Sequence, residues 1–494
     1  MITPRPGNDR FRFVFSPVLI GLLWGLTLSL PVFGQVAQSP RNGVASVASD
    51  SAPATRIDWN EVSSHEQKMI IRLLEAPDWP LRVFALLRLE RFSGKTVEQF
   101  ILKHVQDEAW QARCFALRQS YQMGIKVTGE SLANETEPRV IRTALRYGVA
   151  LDEKLITRGV KKLLRMRDID QLLLGIEIAA ASDIESLREE ATKRLARFIT
   201  NMNDSVSTRV TRRLVRVVGL TQTPSGITQW RKWYKKNRKT FSLTPPASQQ
   251  PAVIEPITMV AEMDIDAFSR LLDYLDFLRQ RDLELVIVMD FTASMLLMIN
   301  QARAGVDSLI LFLNDISRTM SLGFVAYRDH DNDPVFEKHD LTDNVRSVRD
   351  FLFNLPVTGG EDYPEAVLDG MAACGGMEWN QNATRQIILV GDAPPHEHDI
   401  YQLNNLIDSF RSDGITIHAV HVLLPRNRDI PNFWYSYNAK AGRDFANIAE
   451  RGNGRMVTLS DAEALVPAVM HFTLDEGWWS VFDEFYEWYL DLCR

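Results

Sequence analysis

Asp290, Thr292 and Ser294 alternate along the stretch 284–295, ELVIVMDFTASM. One carboxylate and two hydroxyls offer oxygen donors alone. That set suits a hard divalent cation, Mg²⁺ first, with Mn²⁺ or Ca²⁺ as alternatives. The donors act together only if a loop holds them, and the flanking pattern predicts one. The apolar run 285–289 ends abruptly at Asp290, as a strand buried on both faces does. Residues 295–317 then carry apolar side chains at helical spacing. The three oxygen-bearing residues therefore fall in a strand-to-helix loop, which in an open parallel sheet lies at the carboxyl edge where ligands bind.

The sequence around this loop alternates in the same manner. Strands are expected at 321–328, 386–390, 415–422 and 454–459, with a short edge strand at 334–341. Helices are expected at 264–281, 345–355, 364–373, 401–412, 444–451 and 461–470. This order predicts an α/β domain with a doubly wound parallel sheet.

The N-terminal half reads differently. Between residues 59 and 220 the apolar pattern is helical and repetitive: LRVFAL at 81–86 returns as ARCFAL at 112–117 and, loosely, as VIRTAL at 140–145, offsets of 31 and 28 residues. Helix pairs at such a period bury their apolar faces only by stacking on neighbours, which predicts a HEAT- or armadillo-like all-α solenoid, with an irregular helical bundle as the alternative. Residues 229–241, QWRKWYKKNRKTF, interleave basic and aromatic side chains. In a cytosolic chain that mixture suggests nucleic acid. Here it reads as a capping helix whose Trp230, Trp233 and Tyr234 pack on the last repeat, because the N-terminus argues for export.

Arg5, Arg10 and Arg12 precede the apolar run 18–30, and small residues follow up to Gly34. That is the layout of a secretory signal peptide; an uncleaved anchor is the rival, since 13–33 is long enough to span a bilayer. No later segment is expected to cross a membrane. The resulting organisation is a signal peptide at 1–34, a flexible linker at 35–54, helical repeats at 55–241, a proline-rich linker at 242–258, the α/β domain with a preceding helix at 259–472, and an aromatic helix at 473–494. The chain is thus placed outside the cytoplasm: periplasmic, at the cell surface or secreted. Its three cysteines (Cys114, Cys374, Cys493) show no metal-ligand spacing, and no structural disulfide is expected.

Net charge is −7 but unevenly spread: residues 55–241 hold 34 Lys/Arg against 22 Asp/Glu, and residues 242–494 hold 18 against 39. Such asymmetry suggests that the basic half docks on the acidic half or faces an anionic surface. In the aromatic helix, Trp478, Phe482, Phe485 and Tyr489 share a stripe expected to dock on the protein itself.

Asp290-x-Thr292-x-Ser294 at a strand end, the turn Gly359-Gly360-Glu361-Asp362, and Asp392 closing a later strand together resemble the von Willebrand factor A domain. The wording DFTASM, FVAYRDHD, GGEDYPEAV and GDAPPH is most similar to the A domains associated with alpha-kinases, although no kinase-like segment accompanies it. The resemblance spans residues 283–471. It implies a metal-ion-dependent adhesion site in which Asp290, Thr292, Ser294, Asp362 and Asp392 surround the cation. Thr358, Glu361 and His396 would then sit at the ligand rim. Two departures matter. Asp362 stands where many members have Thr, so three carboxylates would leave a formal charge of −1 around a divalent ion and disfavour an anionic ligand. Ala293 replaces a glycine.

Other candidates are weaker. Asp329-x-Asp331-x-Asp333 starts like a calcium loop but lacks the glycine and glutamate that complete one. His396-Glu397-His398-Asp399 has no zinc-protease spacing and reads as a solvated loop. With no glycine-rich phosphate loop and no nucleophile–base pair, the chain reads as a non-enzymatic adhesion protein that recognises a protein ligand at the cell surface or in the envelope, through a cation. Nucleic acid and stable membrane insertion are not expected. A metal-assisted hydrolase using His396 as proton carrier is the runner-up, and a purely architectural scaffold the third reading.

Overall fold

The computed structural model describes residues 56–202, 210–211, 213–215, 217–218, 224, 226–243, 258–360, 363–425 and 432–493. The segments 1–34 and 35–54, expected as a signal peptide and a linker, most of the segment 242–258, Glu361 and Asp362 lie outside the described residues.

Six strands build the C-terminal sheet: β1 Asp282–Asp290, β2 Thr319–Tyr327, β3 Phe336–Thr342, β4 Thr384–Gly391, β5 Ile415–Val422 and β6 Met456–Leu459. Their spatial order is β3-β2-β1-β4-β5-β6. All neighbours are parallel except β3, which runs antiparallel on β2. The doubly wound parallel sheet expected from the sequence is present, and the expected edge strand is its one antiparallel member. β3 is reached from β2 by a short connection, too short for the crossover that a parallel neighbour requires.

β1 is apolar on both faces because both are covered. Leu285, Ile287 and Met289 pack beneath the helix Leu296–Ile316, while Val286 and Val288 belong to the core of the opposite face, where the helix Val367–Ala372 packs on β1. The stretch Ala293–Ile316 is long and apolar enough to cross a membrane, contrary to the sequence expectation, but most of it is buried against this sheet. The helix expected to begin at residue 444 begins at Asn432.

On β5, His418 is buried, stacks on Phe472 at 4.5 Å, and accepts the Arg455 backbone N–H on Nδ1 at 3.1 Å. Burial, with the nearby Arg455 charge, pushes its pKa down to about 4. The unfolded chain therefore takes up a proton below about pH 6.5 that the folded chain refuses, so stability falls as pH drops from about 6.5 towards 4. His418→Gln is expected to remove about 2 kcal/mol of that loss at about pH 5. Melting temperatures across this range test it, and identical acid slopes in both proteins would acquit the residue.

In the N-terminal half, the three motif copies lie in the helices Trp79–Leu89, Trp110–Gln122 and Pro138–Arg146, each packed on the next. A side-chain ladder accompanies them. Arg82 holds both oxygens of Asp107 at 2.8 and 2.7 Å, and Arg113 holds both of Glu135 at 2.8 and 3.0 Å. Each arginine thus reaches forward to an acid in the turn before the next motif helix, and Asp107 in turn accepts the Ala109 N–H at 2.8 Å. Near the end of this half, the helix Ile227–Asn237 buries Trp230, whose indole N–H donates to Thr211 Oγ1 at 3.0 Å.

The C-terminal helix Trp479–Cys493 lies between the two halves. Phe485 is fully buried, with Phe84 and Phe115 of the repeats at 4.7 and 5.6 Å and Phe312 of the α/β domain at 5.7 Å. Tyr489 stacks on Trp79 and donates its hydroxyl proton to Asp315 at 3.0 Å. The Arg118 guanidinium covers the Trp488 ring at 3.6 Å, and Arg142 donates to the Leu492 carbonyl at 2.8 Å. A second joint forms where Arg88 donates to the carbonyls of Val260 and Ala261 at 3.1 Å each, and Glu90 accepts the Thr258 N–H at 3.0 Å. All three cysteines are free and buried.

Candidate functional site

With strand order 3-2-1-4-5-6, the connections leave β1 and β4 in opposite directions and open a crevice beyond their carboxyl ends. Asp290 ends β1, and Asp392 follows β4 directly. Both carboxyl groups are buried, at 0% and 1% exposure. Asp290 Oδ1 accepts the backbone N–H of Thr292 at 2.9 Å and its hydroxyl at 2.6 Å. The Thr292 and Ser294 hydroxyl oxygens are 3.2 Å apart, and Ser294 donates to Asp392 Oδ1 at 3.2 Å. Four side chains from two loops thus form one continuous oxygen cluster, buried at the carboxyl end and open at Ser294.

The loop before Glu361 closes one wall. Gly359 accepts the Ala293 N–H at 3.3 Å, and Gly360, at φ +89°, lies so close that a Cβ there would meet Thr292 Cβ at 3.1 Å. This is the positive-φ, close-approach position that only glycine fills without strain. Thr358 is exposed two residues earlier.

Electrostatically the pocket is ill-matched to its own charges. Burial, then the charge of Asp392, drive the Asp290 pKa well above the ordinary carboxylate range. Burial raises Asp392 to about 6. Asp290 Oδ2 is buried and has no hydrogen-bond partner. Two adjacent carboxylates with an orphaned oxygen fit a divalent cation: it would neutralise both and take oxygen ligands from Thr292 and Ser294.

Residues 284–461 match the family described as the von Willebrand factor A domain. The chain carries a von Willebrand factor A domain. Over 140 residues it is 29% identical to the alpha-protein kinase vwkA of Dictyostelium discoideum, a match covering 27% of this chain and 22% of that one. The match thus spans just over a fifth of that relative's length. Among solved structures it is similar to the pilus adhesin SpaC of Lactobacillus rhamnosus GG in its open conformation, at 12% identity, 38% coverage of this chain, 29% of that chain and a TM-score of 0.31. The SpRpn10 VWA domain is similar at 15% identity, with 38% and 94% coverage and a TM-score of 0.28. These structural likenesses are too distant to bear on function.

Around the A-domain site the structure adds residues that the sequence reading missed. Tyr363 donates to Asp392 Oδ2 at 3.4 Å and stacks on Tyr437. Buried Asn438 donates to the Asp392 and Val422 carbonyls at 2.7 and 2.8 Å, fixing the loop from behind. Asn438 lies ahead of residue 444, where the apolar spacing predicts its helix to start. The buried Tyr327 hydroxyl has no hydrogen-bond partner, and burial, then the charges of Asp290, Glu365 and Asp392, raise its pKa. His396 is not a solvated loop residue. It is half-buried, and its Nε2 meets Asp329 at 2.7 Å. Asp329 is thereby turned towards a histidine and not into a calcium loop.

Proposed function

We propose that the A domain binds one divalent cation, Mg²⁺ or else Mn²⁺ or Ca²⁺, through Asp290, Thr292, Ser294 and Asp392, and uses it to recognise a protein ligand outside the cytoplasm. Asp362, outside the described residues, is proposed as a further ligand, with Glu361, Thr358 and His396 towards the rim. The observation that carries this reading is the orphaned Asp290 Oδ2 beside a second buried carboxylate. A protein ligand is favoured by the surroundings: Leu296 and Leu297 are 46% and 73% exposed just beyond Ser294, and Phe433 is 57% exposed near Tyr437. Apolar side chains flanking a polar centre are what a protein interface presents.

The role is binding, not catalysis. Export rests on the basic-then-apolar N-terminus. The helical half is proposed as a mount, docked on the acidic half through Arg88, Arg118 and Arg142.

Isothermal titration of the full chain with Mg²⁺ tests the proposal. Saturable binding is expected, weakened by more than about tenfold in Asp290→Ala. Absence of binding in the wild type, or equal affinity in the variant, refutes it.

A further inference from the structure

Beside the oxygen cluster, three imidazoles converge from two loops. Ligand-capable atoms of His330, His396 and His398 all lie within 4.8 Å of one another. The His330 and His396 rings stack at 4.7 Å with 16° between their planes, and His398 lies 5.2 Å from His396. Each ring has its Nε2 near a carboxylate: Asp369 at 2.9 Å, Asp329 at 2.7 Å and Asp399 at 3.5 Å, respectively. Asp329 and Asp399 are themselves buried, at 7% and 8% exposure, so the acids behind His396 and His398 belong to the scaffold and not to a solvated surface.

We infer that His330, His396 and His398 form a second metal site, one that takes a borderline transition-metal ion of the Zn²⁺ class. A carboxylate on one ring nitrogen is how proteins orient an imidazole whose other nitrogen binds metal. Three such nitrogens and an open fourth position make a tetrahedral zinc site. Tetrahedral Zn–N bonds place ligand nitrogens about 3.3 Å apart. The rings must therefore draw together by up to about 1.5 Å, a movement open to His330 and His398 because both are exposed. Donor chemistry separates the two sites, since imidazole selects Zn²⁺, Cu²⁺ or Ni²⁺ where the carboxylate–hydroxyl cluster selects Mg²⁺, Mn²⁺ or Ca²⁺.

The topology gives the site a mechanical meaning. His330 follows β2, and His396 and His398 follow β4, the two strands that flank β1. A bound ion clips together the loops on either side of the strand that ends in Asp290. It also fixes the loop bearing Asp392.

The test uses the full chain without a polyhistidine tag, kept in excess Mg²⁺ so that oxygen donors are occupied. Zn²⁺ is added, the protein is dialysed and the metal content is measured; Co²⁺ absorption reports imidazole coordination. One Zn²⁺ per chain is expected in the wild type and in Asp290→Ala. Occupancy is expected to fall by about tenfold in the double variant His330→Asn, His398→Asn. Both replaced side chains are exposed, so folding is preserved and circular dichroism verifies it. Undiminished Zn²⁺ in the double variant overturns the inference. So does loss of Zn²⁺ in Asp290→Ala, which would assign the ion to the oxygen cluster.

Discussion

Phe485→Ala is expected to destabilise the protein by about 4 kcal/mol, the usual cost of emptying a fully buried phenylalanine site. The value sits high in the range because the neighbours cannot collapse into the gap. Phe84 and Phe115 belong to stacked repeats, and Phe312 to a helix pinned on the sheet. The apolar core is continuous across this contact, running from Trp59 in the repeats to the face of β1 and the C-terminal helix. Loss of the phenylalanine is therefore expected to lower the urea midpoint of both halves together. A variant within about 0.5 kcal/mol of wild type would mean that the helix is not the pin described here.

Asp392→Asn is expected to act in the opposite direction. In chelator at neutral pH it should be more stable than the wild type by about 3 kcal/mol, the cost of ionising a carboxyl whose pKa has moved from 3.8 to about 6. The folded protein holds this proton at pH values where the unfolded chain has released it, so wild-type stability declines as pH rises from about 4 through 6. The amide carries no charge, and its N–H₂ offers a donor to the orphaned Asp290 oxygen. Mg²⁺ should then raise the melting temperature of the wild type and leave the variant unchanged. A variant less stable than wild type in chelator at neutral pH would show that the two carboxylates do not oppose one another.

Much of the A domain was legible because its signals are local. The short run 285–289 ending in Asp290 reads as a buried strand, and the oxygen donors at 292 and 294 follow within a few residues. Asp392 was reached by family resemblance, not by spacing. The histidine site was not legible: His330 and His396 are separated by 66 residues, and no periodicity links the end of β2 to the loop after β4. Nor was the first half of the helix Asn432–Arg451, where Tyr435, Ser436 and Asn438 interrupt the apolar stripe. Asn438 is polar because it fastens the Asp392 loop, so its function concealed its element. The aromatic stripe of the last helix was visible, but its partners lie hundreds of residues away. That it spans both halves follows only from tertiary contacts.

The position of that helix in the chain also bears on biogenesis. Every surface it covers is translated before it, so on the ribosome the Phe84–Phe115 face and the Phe312 face emerge without their cover. Each nascent half can acquire its secondary structure on time, but neither can be sealed until residue 485 is out. A holding chaperone that shields apolar surface during this interval would be expected to govern the yield of folded protein.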